Sequence, residues 1–448
     1  MLELTPFDIL LPIIYILFIL FFAITIQRIN IKSNPVYKYY TLGLFVKLLG
    51  AISLCLIYTY YYEGGDTTYY FNSGIAFTNL LTENISGYIS ILVNGNTPEN
   101  FSYFNSSTGY PFYWVDFNSF FVSIAISPII FIACKSFFAT AILLAWLCYS
   151  GVWKLYLLFS GQFPAIQKQL AIAILFVPSV AFWGSGILKD TITFSAVGWF
   201  TFCFYGYLIK KEFKIAQLIS LLIASWLLIS IKPYIFFALL PGAIIMAFYG
   251  RISEIQNKIA RQVITPVFII FGMWLGVYSL SQLGKSLGVY NVDTILERAV
   301  IVQNDLKQDY YGSNSYDIGK LDANMSSLLG KSHLAIAAAL FRPYLWDVKN
   351  PVMLLSALEN TYTLLLTIFL LIKLKVVGVF RLIGNHPLLL FSVLFSLFFA
   401  FSVGLTTANF GALVRLRIPC IPFFVASLFI LKYYYDIKNS SLSFRKKQ

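Results

Sequence analysis

A chain of 448 residues that is 59% hydrophobic and only 11% charged departs from soluble domains, which carry about 25% charged residues, and reads as a polytopic membrane protein. The formal net charge of +13 would point to nucleic acid in a soluble protein. Here it follows from the Lys/Arg bias of cytoplasmic loops, so no nucleic-acid partner is expected. Five cysteines without metal spacing and only two histidines, His333 and His386, argue against a disulfide framework, a histidine-based metal centre and a Ser-His-Asp triad.

The first apolar run, about Asp8 to Ile26, lacks a basic n-region and a small-residue cleavage site, and is expected to stay as a span. The second covers about Thr41 to Tyr62. Arg28, Lys32 and Lys38 lie between them, which puts that loop in the cytoplasm and the N-terminus outside. From Ala51 to Cys134 there is no Lys or Arg, while Glu63, Asp66, Glu83, Glu99 and Asp116 all occur. A first outer loop over 63–117 follows, and within it Gly74 to Val93 suits a helix lying along the membrane surface. Four apolar stretches come next, at Asn118–Cys134, Phe137–Phe159, Leu170–Trp183 and Thr191–Leu208, before Lys210, Lys211 and Lys214 mark the cytoplasm. An odd number of crossings is required, so a short or re-entrant piece is expected in the first or third stretch. Spans over Ile215–Ile231, Phe236–Tyr249, Val263–Leu283, Pro351–Ile372, Pro387–Leu405 and Ile421–Tyr434 then alternate, with a large outer loop at 284–350 and a basic tail at Arg445, Lys446 and Lys447. The expectation is a single all-α integral membrane domain, 1–448, a polytopic transmembrane helical bundle of about 11–12 spans with outer-face loops and surface helices.

The polar run Gly64-Gly65-Asp66-Thr67-Thr68-Tyr69-Tyr70-Phe71 stands where the second span should end. A carboxylate there can act as a base, hold a cation or bind hydroxyls. It can equally cap the next helix, and both readings stand. Further along, Lys189 with Asp190, Lys232, Arg342, Arg415 and Arg417 all fall at outer membrane ends beside proline, glycine or aromatic residues. Some can pair with nearby carboxylates such as Asp190 or Asp347. Together they suit an anionic group at the outer leaflet, with arginine forks on phosphate oxygens. Glu359 lies inside a span, so it should face the bundle interior and pair with an arginine. Arg298, Asp305, Asp309, Tyr310, Tyr311 and Tyr316 give the large outer loop a mixed charged and tyrosine character. That fits a carbohydrate-facing loop or an ordinary solvated one.

Gly65-Asp66-Thr67-Thr68-Tyr69-Tyr70 resembles the acidic first-outer-loop motif of GT-C-type membrane glycosyltransferases. Phe182–Asp190, Lys232-Pro233-Tyr234, Leu340–Tyr344 and Asn409–Arg417 look like motifs of bacterial proteins loosely assigned to that superfamily. The likeness is scattered over most of the chain and rests on short motifs. It implies a bacterial plasma-membrane enzyme of cell-surface glycan assembly. A sugar would pass, with inversion, from a polyprenyl-phosphate-linked donor to a glycan, lipid or protein acceptor at the outer face. Asp66 takes the place of the catalytic carboxylate. Glu63, Tyr69, Tyr70, Lys189, Asp190, Lys232, Arg298, Arg342, Arg415 and Arg417 would contact substrate, with membrane lipids around them. The chain has two spans before the motif where the superfamily usually has one, and no second acidic residue close to Asp66 unless Glu63 serves. No metal ligand or cofactor is assigned, although a divalent cation has room. Two other classes remain: a Wzy-type oligosaccharide-unit polymerase using Arg298, Arg342 and Arg415, and a non-enzymatic flippase for lipid-linked glycans.

Overall fold

The computed structural model describes residues 6–212, 214–253 and 330–445, with positions 301, 315, 316, 319 and 327 between them. Among these residues the chain is all α-helical with short 3-10 turns, as hydrocarbon demands: a helix satisfies its backbone polar groups within its own segment. Five helices are long and apolar enough to cross a membrane. A sixth span arises if the last two helices, bent by 71°, count as one. The protein is a multi-pass helical membrane protein. Two compact units are formed, one from residues 1–157, 180–200 and 222–233, the other from 158–179, 201–221 and 234–448.

In the first unit α1 (Pro6–Asn30) and α2 (Tyr40–Tyr60) pack together across a 3-10 turn at Pro35–Tyr39, where Asn34 caps the amide of Val36. Three consecutive residues with positive φ, Glu63, Gly64 and Gly65, then turn the chain into α3 (Asp66–Glu83). This helix begins earlier than the sequence pattern suggests, and it is not a free surface helix. Thr67, Tyr70, Phe71, Gly74, Phe77 and Thr78 recur at helical spacing and are buried against α6 (Phe117–Ile132). Between them come α4 (Ile85–Asn94) and the single turn α5 (Pro98–Phe101). Phe77, Phe104, Trp114 and Phe120 form a ring cluster that gives the outer loop a small core of its own. Each fully buried ring contributes roughly 1.5–3 kcal/mol.

Next come α7 (Phe137–Gln162), α8 (Gln167–Leu175), α9 (Pro178–Trp183), α10 (Lys189–Leu208), α11 (Ile215–Ile231) and α12 (Pro233–Ser253). The third apolar stretch is thus broken into α8 and α9, each too short to cross. Pro178 explains the break, since it lacks an N–H and pushes Val177 out of helical geometry. In the second unit, α13 (Ser332–Phe341) is an apolar helix inside what the sequence suggests is a polar loop. Its buried Ala335, Ala338 and Ala339 let it approach α15 (Pro387–Thr406) closely. Prolines at the first helical position open both α14 (Pro351–Gly384) and α15, and Asn350 caps α14 through the amide of Met353. The expected 406–417 loop holds a short helix, α16 (Phe410–Leu416), capped by Asn409 on the amides of Gly411 and Ala412. The last described helix is α17 (Ile421–Arg445), whose Phe423 packs on Phe391 and Phe395 of α15. The expected Val263–Leu283 span, most of the 284–350 loop with Arg298, Asp305, Asp309, Tyr310 and Tyr311, and the tail residues Lys446 and Lys447 lie outside the described residues.

Candidate functional site

Asp66 is the first residue of α3, behind Gly65 at the N-cap position. Its negative charge there is favoured by the helix macrodipole. Tyr113 donates its hydroxyl to Asp66 Oδ1 at 3.2 Å. The Tyr113 ring leans on Tyr70 at 4.8 Å, while its backbone amide donates to Ser73 Oγ at 3.1 Å. Tyr69, 41% exposed, stacks flat on Phe112 at 4.5 Å. Tyr70 faces the other way: it is buried, with its hydroxyl 3.4 Å from Ser119 Oγ. Glu63 is exposed in the turn. Of the three residues expected to flank Asp66 at a substrate, Glu63 and Tyr69 are therefore accessible and Tyr70 supports Tyr113.

Ser119 donates a short hydrogen bond to Asp116, and Lys189 Nζ pairs with Asp116 Oδ2 at 3.3 Å. Asp116 immediately precedes α6. Burial pushes its carboxyl upward, but the Ser119 hydroxyl, the Lys189 charge and the Asn118 amide outweigh that and hold it below the ordinary carboxylate range. Lys189 feels three other charges besides its own burial: Asp116, Lys232 and Asp66. One ammonium group therefore stands in the field of two carboxylates, Asp66 and Asp116. Lys189 keeps 16% of its side chain exposed, enough to meet a ligand. Lys232 is different, since it pairs with Asp190 where both are almost wholly buried. That pair neutralises two charges inside the unit.

The segment 184–188 that carries Lys189 into place is not helical. Its backbone groups are satisfied locally: Thr191 donates to the Gly186 carbonyl at 2.6 Å, and buried Lys47 of α2 donates a short bond to the Gly184 carbonyl. Gly50, one turn along α2, lies directly against the Ala181 carbonyl. A Cβ there would stand 2.0 Å from the oxygen.

The second unit holds the arginines. Arg417 is fully buried and donates to the carbonyls of Ala339 (2.8 Å) and Arg342 (2.9 Å) and to Asn360 Oδ1 (2.6 Å). It fixes the end of α13 to α14 rather than facing outward. Arg342 keeps 28% of its side chain exposed and lies 4.0 Å from Asp347. The rings of Tyr316 and Tyr344 each stand 5.4 Å from its guanidinium, and such aromatic faces favour a cation. Arg415 is half-buried in α16. The arginine pairing expected for Glu359 is absent among the described residues. Ser179 instead donates both its amide (3.0 Å) and its hydroxyl (2.7 Å) to the carboxylate, and Arg417 acts on it through space.

Comparison with protein-family models, with curated proteins and with solved structures finds no match. What the chain can do is therefore read from its own residues. Of the expected cations Lys189 and Arg342 are accessible, Arg415 is half-buried, Lys232 and Arg417 are committed to buried partners, and Arg298 lies outside the described residues. Asp116, Tyr113, Ser119 and Lys47 escaped the sequence reading. The only local signal was an acidic residue directly ahead of an apolar run at Asp116. Among the described residues no three His, Cys, Asp or Glu side chains converge on a metal-sized space.

Proposed function

We propose that the protein is a membrane glycosyltransferase that moves a sugar from a polyprenyl-phosphate-linked donor to an acceptor hydroxyl, with inversion, at the extracytoplasmic face. The observation that carries this reading is the conjunction of Asp66, hydrogen-bonded by Tyr113 and half-buried at the start of α3, with Lys189, whose ammonium is held by Asp116. In the reaction the acceptor oxygen bonds to the anomeric carbon as its proton passes to Asp66. The bond from that carbon to the donor phosphate oxygen breaks, and the phosphate leaves with the electron pair. Lys189 stabilises the charge that grows on the leaving phosphate, a contribution often larger than the proton transfer itself. Tyr113 holds the carboxylate in place, and Asp116 does the same for the ammonium. The basic loop at Arg28, Lys32 and Lys38 supports an outside N-terminus, and Arg445, Lys446 and Lys447 support a cytoplasmic tail, an orientation in which α3 would face outward.

The test is Asp66→Asn in purified protein given lipid-linked sugar donors. The substitution keeps the shape and removes the base. Transfer should fall by roughly 10²–10⁴-fold while the unfolding temperature stays at the parent value. Near-normal turnover would leave Asp66 as the charge that stabilises the α3 N-terminus. Activity that survives in Asp66→Asn but collapses in Arg342→Lys would favour the polymerase chemistry of the second unit instead.

A further inference from the structure

Where α1 and α2 lie side by side, an open groove of about 330 Å³ runs between them. Leu20, Ile24, Leu42 and Phe45 form its walls, and Gln27 with Lys38 closes the end next to the connecting turn. The polar end is built of donors. Gln27 Oε1 accepts from the Thr41 amide at 3.1 Å, which turns its NH2 group into the remaining hydrogen-bonding arm. Thr41 also lines the groove, with its hydroxyl oxygen buried beneath the surface. Lys38 rests over the Tyr39 ring, 5.0 Å from its centre, and pairs with no carboxylate among the described residues. Asp and Glu are absent from Ile9 through Tyr62, a stretch that holds Arg28, Lys32, Lys38 and Lys47.

We propose that this groove is a binding site for one anionic phospholipid. One acyl chain lies between the helices against Leu20, Ile24, Leu42 and Phe45. The phosphodiester sits at Lys38 with the Gln27 amide. An apolar cleft alone would accept any lipid tail. The basic end, with no carboxylate to hold a choline or ethanolamine ammonium, selects a headgroup of net negative charge. The lipid comes from the leaflet that the basic loop faces, and its site is separate from Asp66 and Lys189.

The test is native mass spectrometry of the full chain in detergent, titrated with dioleoyl phosphatidylglycerol and, separately, with dioleoyl phosphatidylcholine. One phosphatidylglycerol should be retained preferentially. Lys38→Ala should cut that preference about five-fold, the ratio that corresponds to roughly 1 kcal/mol for one basic residue at a lipid surface. Leu42→Trp fills the groove and leaves every charge in place, so it should abolish retention of the single lipid. Lys32→Ala alters a charge outside the groove and should change nothing. Equal losses in Lys32→Ala and Lys38→Ala would reduce the effect to a general surface field. Undiminished retention in Leu42→Trp would show that the lipid binds elsewhere. Either outcome overturns the proposal.

Discussion

Removing one member of the buried Lys232–Asp190 pair should damage the protein more than removing both. Asp190 is 0% exposed and Lys232 6% exposed, so neither charge can be rescued by water. In direct contact and at an effective dielectric near 20, their attraction is on the order of 5 kcal/mol, most of it offsetting desolvation. Lys232→Met keeps much of the aliphatic stem and deletes the ammonium that faces buried Asp190, a loss of the kind that costs about 3–5 kcal/mol. Asp190→Asn in the same chain removes the buried charge and should recover more than half of that loss, because a neutral amide costs far less to bury. The assay is thermal unfolding of the purified parent, the two single variants and the double variant in one detergent. The informative quantity is the coupling between the two substitutions, which should be at least about 1.5 kcal/mol in size. Additive single losses, or a Lys232→Met protein as stable as the parent, would refute the pair as an internal neutralising device.

Two further outcomes are expected. Arg417→Met deprives the Ala339 and Arg342 carbonyls and Asn360 Oδ1 of their donor, and each buried acceptor left unmade costs about 1–3 kcal/mol. Size-exclusion chromatography should show a folding defect in that variant, whereas a substrate-binding arginine would leave the profile unchanged. The Asp116 carboxyl is held below its unfolded value near 3.9, so its stabilising contribution is fully present above that pH and is lost as pH falls through the lower, folded value. Its side chain is 56% exposed, which limits the effect to under about 1 kcal/mol. The difference in unfolding temperature between the parent and Asp116→Asn should hold steady from neutral pH to about pH 4 and shrink below it. A difference that persists unchanged in stronger acid would contradict the assignment.

The helices were legible wherever long apolar runs end in charged or proline-marked turns, as at α1, α2, α11, α14 and α15. The break before Pro178 was also written in the sequence, but hydropathy alone weighs Leu170–Trp183 as one stretch and passes over the missing amide. Helix α13 was hidden by its neighbours. Ser332–Phe341 is apolar but only ten residues long, and it follows a polar segment. The site was harder to read because its partnerships are made in space. Arg342 and Arg417 look alike as outer-end arginines, yet one stands between two tyrosine rings and the other is wholly buried against carbonyls. Lys47 was absorbed into an apolar run, and Asp116 meets Lys189 from 73 positions away. Asp66 stands out in the sequence by position alone. A glycine-flanked carboxylate at the end of a span declares itself, although its Tyr113 partner does not.

Helix α2 touches both ends of this arrangement. Its last turn leads through Glu63–Gly65 to Asp66, and its Lys47 and Gly50 hold the segment that delivers Lys189. In the proposed transfer a single stiff rod therefore acts as a gauge between the proton acceptor and the phosphate cation. A displacement of about 1 Å between such groups can cost a hundredfold in rate. Although Asp66 opens α3 and Lys189 opens α10, both are tied to α2, so in the proposed transfer that one helix sets their separation.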